Sequence, residues 1–200
     1  MSWIYVDGQG HQLNSRAGAA YLRAINAGMP HGGVDVFRRP LSEQWKRWRA
    51  YLKGGPKAAF PTPHAPHVRG DAFDTHTTGP HGVYAPSKAH TWATKGGEGS
   101  DVHVGEKIKL NEFGFVRTVN TGPKRERWHF CYNRARDRWV GKHPKYERLQ
   151  KALKKAGMKV TVDSSYGPET HRALGQFQRL HGLPVTYVDD AKTWEILNKA

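Results

Sequence analysis

Two hundred residues suffice for one ordinary domain with a buried core, or for a medium domain and a small one, and are too few for four. A hydrophobic share of 37% with seven Trp, eight Tyr and seven Phe excludes a disordered polyelectrolyte. The 32 Lys+Arg against 17 Asp+Glu give a formal charge of +15, which calls for a polyanionic partner (nucleic acid, anionic membrane or anionic cell wall) without choosing among them. The excess is densest from Arg117 to Lys155, where the acids are only Glu126, Asp137 and Glu147; the plain alternative for such a run is a solvated face. A lone cysteine, Cys131, excludes an intrachain disulfide and reads as a small core residue. The start "MSWIYVDGQG" lacks the pattern of a signal peptide, and no run approaches about 18 apolar residues, so the expectation is a soluble chain made in the cytoplasm.

Ala17, Ala20, Tyr21, Ala24 and Ile25 recur at helical spacing between Ser15 and Ala27, and Gly28 with Pro30 supplies a stop, so a first helix is expected there. Pro40 opens a second, in which Leu41, Trp45, Trp48 and Leu52 share one face that reads as core. Residues 56 to 103, rich in Gly, Pro, His and Thr, read as loops threaded between short strands. "EFGFVRTV" (112–119) and "RWHFCYN" (127–133) have the aromatic and β-branched character of strands, with "NTGPKR" as the turn between them. "GKHP" after Trp139 then reads as a linker, which divides the chain into residues 1–141 and 142–200. Beyond it, three apolar stripes predict three short helices: Tyr146, Leu149, Leu153 and Ala156; Ala173, Leu174, Phe177 and Leu180; Ala191, Trp194 and Leu197. A segment this short must bury those stripes against each other to fold.

The chemistry begins in "HVRGDAFD" (67–74). A helix would separate His67 from Asp74 by about 10.5 Å of rise, and an extended chain by more than about 20 Å, so neither lets both touch one ion. A reversal would, and Gly70 is where the backbone most easily makes one, with Ala72 and Phe73 starting a strand that presents Asp74. Alone, a His and an Asp in a loop are more often merely solvated. "ERWHF" adds Glu126 and His129 beside Trp128. A hydrolytic zinc site needs three protein ligands, an open position for water and a carboxylate to take the proton; His67, Asp74 and His129 can supply the first and Glu126 the last. A regular strand would put Glu126 and His129 on opposite faces, so a bend is required between them. His64, His76, His81, His90 and His103 lack partners at a suitable spacing and read as loop residues.

The spacing H-x-x-G-x-A-x-D (His67, Gly70, Ala72, Asp74) followed by E-x-W-H (Glu126, Trp128, His129) resembles the zinc peptidases that include D-alanyl-D-alanine carboxypeptidases and phage L-alanyl-D-glutamate endopeptidases. The likeness extends over roughly residues 15 to 135, through "VFRRPLSEQW" and "EFGF". It implies an upstream arginine that holds a substrate carboxylate: counting from Phe37 selects Arg38, which is preferred, and counting back from Gln44 selects Arg39. It also implies Trp128 at the substrate side. Ala65 stands where that family usually has a serine, a departure that concerns a supporting hydrogen bond and not the ligands. The C-terminal stretch "VDSSYGPETHRALGQFQRLHGL" with "TWEIL" resembles the small three-helix peptidoglycan-binding domain of cell-wall hydrolases, through Asp163, Tyr166, Gly167 and Thr170 at its turn and helix start. The second loop, "PVTYVDD", lacks the glycine turn common there.

Together these imply an α+β fold, with a small antiparallel sheet, flanking helices and long loops, followed by a three-helix bundle. The implied activity is a peptidoglycan hydrolase of endolysin type carrying one Zn2+ per chain. It would be made in the host cytoplasm, released to the wall, and would cut the stem peptide between L-Ala and D-Glu, because lysis requires cutting strands apart. Expected partners are peptidoglycan and anionic wall polymers, with no stable nucleic acid, no membrane insertion and a monomeric state. The alternatives are a D-alanyl-D-alanine carboxypeptidase or, in other classes, a basic nucleic-acid-binding or non-catalytic wall-binding protein.

Overall fold

The computed structural model describes residues 2–7, 9–30, 37–55, 58, 60–78, 84–86, 88, 109–117 and 128–200. The chain opens with an antiparallel hairpin, β1 (Trp3–Tyr5) and β2 (Gln12–Asn14), in the register Trp3↔Asn14. Asn14 closes the hairpin and starts α1 (Ser15–Asn26), its side-chain oxygen accepting the N–H groups of Arg16 and Ala17 at 3.1 and 3.0 Å. The face predicted from the spacing, Ala17, Ala20, Tyr21, Ala24 and Ile25, is fully buried.

That face lies against a three-stranded antiparallel sheet of order β3–β7–β6, made from β3 (Ala72–Asp74), β6 (Phe113–Val116) and β7 (His129–Asp137). Phe73, Phe115 and Phe130 fill the space between them, with Tyr21 edge-on to Phe73 at 5.1 Å. Each such ring contributes about 2–3 kcal/mol through burial. Arg23 of α1 and the hydroxyl of Tyr132 both donate to Asp137 Oδ2, at 2.5 and 2.9 Å, which bolts the helix to the end of β7. β4 (His76–Thr78) and β5 (Tyr84–Pro86) form a separate antiparallel pair, and α3 (Pro66–Arg69) is a single turn before β3.

One expectation is corrected. The second helix forms as α2 (Leu41–Leu52), but only Gln44 is buried along it. Trp45 is exposed and Leu52 is 66% exposed; Trp45 and Trp48 instead pack on Phe60, itself 60% exposed. The periodicity identified an apolar face, but the described residues leave Trp45 and Leu52 of it exposed.

The predicted linker follows an aromatic cluster. Trp139 stacks on Phe113 at 6.2 Å and touches His143 and Tyr146 at 4.6 and 6.0 Å, while His143 caps α4 (Pro144–Lys155). Within "GKHP" itself Gly141, Lys142 and Pro144 are exposed and His143 is half-buried. α4, α5 (Pro168–Leu180) and α6 (Ala191–Leu197) bury Tyr146, Leu149, Leu153, Leu174, Phe177 and Leu197 among themselves. Leu180 and Ala191, expected in those stripes, are exposed. Asn26 of α1 donates to the Tyr187 carbonyl at 3.2 Å, so the bundle also rests on the N-terminal part. Among the described residues no helix is long and apolar enough to cross a membrane.

Candidate metal centre

Gly70 ends α3 in the left-handed region, at φ 67° and ψ 29°, and turns the chain directly into β3. A Cβ there would meet the Trp3 ring at 2.5 Å and the Asn14 nitrogen at 2.9 Å, so both conformation and space require glycine. This is the reversal that the spacing from His67 to Asp74 demands. Asp74 pairs directly with His129 across β3 and β7, which brings the second motif to the first.

The result is a cluster of three donor atoms. His67 Nε2 lies 3.1 Å from His129 Nδ1 and 3.3 Å from Asp74 Oδ1, and His129 Nδ1 lies 2.8 Å from Asp74 Oδ1. Three ligands on one tetrahedral zinc, each about 2.0 Å from the ion, stand about 3.3 Å apart. The cluster is therefore already close to the size of one face of a zinc tetrahedron. His67 Nδ1 faces the Phe37 carbonyl at 2.9 Å, so the proton sits there and the Nε2 lone pair is directed into the cluster. His129 turns its other nitrogen, Nε2, to Cys131 Sγ at 3.1 Å. Cys131 is buried, as expected of a small core residue, and in addition it backs a candidate ligand. The signal for this was present: in a strand, residues two apart share a face.

Electrostatics couple the three groups. Burial works to raise the Asp74 carboxyl, but hydrogen bonds from His129 and His67 hold it well below the usual carboxylate range. Burial likewise works to lower His129, and its hydrogen bonds to Asp74 and Cys131 override that and push it up to about 10. Two imidazoles and an ionised carboxylate, oriented from behind, are a donor set that suits zinc.

Arg38 stacks over Trp3 at 4.1 Å and reaches Gln12 at 3.3 Å. Arg39 donates its backbone N–H to the His67 carbonyl at 3.0 Å and its guanidinium to Gln44 at 2.7 Å. Trp128 lies in a turn just before β7, and its carbonyl accepts the Thr75 N–H at 2.9 Å. Ala65 caps α3 without any side-chain bond, at the position where a serine would supply one. Glu126 lies outside the described residues, as do His81, His90 and His103; His64 is exposed.

In the C-terminal part, Gly167 precedes α5, and Tyr166 and Thr170 are buried. Asp163 Oδ1 accepts from Gln150 at 2.7 Å and from the Ser165 N–H at 2.9 Å. These residues build the turn, and Tyr166 and Thr170 offer no side chain to a polymer.

Residues 142–197 match the family described as "Putative peptidoglycan binding domain". No curated protein matches the chain. A similar solved structure is that of the vancomycin resistance D,D-pentapeptidase VanY from the VanB-type resistance cassette, a point mutant in complex with Zn(II). The likeness has a TM-score of 0.42 and 18% sequence identity, and covers 66% of this chain and 78% of that one.

Proposed function

We propose that this protein is a zinc peptidase of bacterial cell walls that cuts the stem peptide of peptidoglycan, with residues 142–200 as its wall-binding domain. The observation that carries the reading is the convergence of His67, Asp74 and His129, whose donor atoms all lie within 4.8 Å of one another. The family match over residues 142–197 supports peptidoglycan as the substrate polymer. Zinc at that position supplies Lewis acidity toward water and a peptide carbonyl. The Phe37 carbonyl and Cys131 orient the two imidazoles, and Asp74 supplies the negative charge. Glu126, three residues before His129, takes the proton of the attacking water and passes it to the departing amine. Of the two arginines, Arg39 is the one we assign to a substrate carboxylate, because Gln44 fixes its guanidinium and its backbone is tied to His67.

Cleavage between L-Ala and D-Glu fits a lytic role, made in a phage-infected host's cytoplasm and released onto its wall. Two measurements test this. The purified protein should contain one zinc per chain by elemental analysis, and digested peptidoglycan should show new L-alanine carboxyl ends and D-glutamate amino ends by mass spectrometry. Loss of a terminal D-alanine alone would assign carboxypeptidase activity instead. Glu126→Ala should retain zinc and lose about 100- to 10,000-fold in turnover, and unchanged turnover would reject its role.

A further inference from the structure

A cleft of about 610 Å3 opens between the β1–β2 hairpin and α5, far larger than a gap left by imperfect packing and within the size range of small-ligand sites. α1 separates it from the sheet that carries the metal cluster: Tyr21 packs on Phe73, while the next residue, Leu22, lines the cleft. Both parts of the chain therefore build it, in a fixed relation to His67, Asp74 and His129.

Its lining is chemically specific. Arg172, Gln176 and Arg179 recur at the i, i+4, i+7 spacing of one helical face of α5, and all three are exposed. Among the described residues neither arginine has an ion-pair partner. Opposite them stands Asp7, whose carboxylate is committed to the His11 ring at 2.6 Å and to the N–H groups of Gln9 and His11. It does not neutralise the arginines. On the hairpin side Tyr5 is 65% exposed at the cleft, an aromatic face with a polar tip. Tyr187 and His171 also line it, their rings stacked on each other at 4.1 Å and 5°. Gly175 is what admits them, since a Cβ there would reach the Tyr187 ring at 2.3 Å.

We infer that this cleft is a saccharide site shared by both parts of the chain for stretches of glycan that have lost their stem peptide, with a sugar ring laid against Tyr5 and the freed lactyl carboxylate of that sugar paired with Arg172 and Arg179. Guanidinium forks recognise carboxylates bidentately, and an aromatic ring matches the C–H face of a pyranose. The inference rests on the wall-hydrolase reading and specifies which component of the wall the protein grips.

The probe is a peptide-free peptidoglycan glycan strand, whose muramic acid residues carry free lactyl carboxylates and which has no peptide bond for the metal centre. Binding is measured calorimetrically to the full-length, zinc-loaded protein. Arg172→Glu/Arg179→Glu should weaken binding at least tenfold and Tyr5→Ala severalfold, and amidating the strand's carboxylates should reproduce the arginine effect. Lys154→Glu/Lys155→Glu makes the same change in charge on α4, away from the cleft, and should leave affinity in place. Equal losses in the two double variants would overturn the cleft in favour of diffuse attraction, as would stronger binding of a polyol-phosphate polymer than of the glycan. If the unaltered protein binds sacculi and the cleft variants bind the glycan equally well, the cleft falls alone. If the unaltered protein neither binds nor cuts sacculi, the reading beneath it falls too.

Discussion

Buried polar groups serve opposite ends in the two parts of this protein. In the C-terminal bundle, Gln150 is almost fully buried and wholly satisfied: the two hydrogens of its Nε2 are shared among Asp163 Oδ1, the Ser165 carbonyl and Thr170 Oγ1, and its Oε1 accepts from the backbone of Asp163 and Ser164. Gln178 repeats the device one helix later, holding the 186–193 loop through Thr186, Tyr187, Val188 and Thr193. Each glutamine fastens a loop and leaves nothing over. At the metal centre the groups also touch one another, but two imidazole nitrogens and a carboxylate oxygen compete for too few protons. A saturated polar cluster is architecture; an unsaturated one, oriented from behind, is able to hold a cation.

The largest effect that sharpens this contrast is expected from His129→Ala, which should abolish both zinc content and peptidase activity; a normal zinc signal would break the ligand assignment. Gln150→Ala should do the reverse, costing about 3 kcal/mol of stability by stranding the loop's N–H groups while zinc per folded chain stays at one. Denaturant unfolding with parallel metal analysis checks this.

The pH response is the next size down. His129 is held up to about 10, so its contribution to the metal-free fold is complete below its ordinary value of 6.5 and fades as the pH climbs through 10. Asp74 is held low, so its contribution is present above its ordinary value of 3.8 and is lost in acid. The metal-free protein should therefore lose stability between neutral and alkaline pH. Zinc uptake near neutrality should release a proton, read as a calorimetric enthalpy that depends on the buffer; an enthalpy identical in all buffers would refute it. The smallest effect is that of Cys131→Ala, about tenfold weaker zinc binding in competition with a chelator, with Cys131→Ser closer to the original. Equal affinity in all three would mean that the thiol only packs.

Local chemistry made much of this legible in advance. The His67–Gly70–Asp74 reversal follows from reach and from glycine's freedom, α1 from its spacing, and the bundle from three stripes. What depends on distant chain could not be seen. Nothing in Phe37 announces that its carbonyl fixes a ring thirty residues away. The α2 pattern gave an apolar face but not the exposure of Trp45 and Leu52 among the described residues. Gln150 and Gln178 lie among apolar residues of their helices, yet glutamine is so usually exposed that composition argues against burial. Nor do the small and polar residues of "GKHP" show that His143 packs on Trp139.

That tryptophan sets how the molecule comes apart. With Trp139 wedged among Phe113, His143 and Tyr146, the described residues join the two parts through packed rings. Heat should melt both in a single cooperative step, and a chain shortened at residue 141 would bare aromatic surface and clump. Grafting residues 142–200 onto another protein would thus mean carrying over the surface they lean on as well.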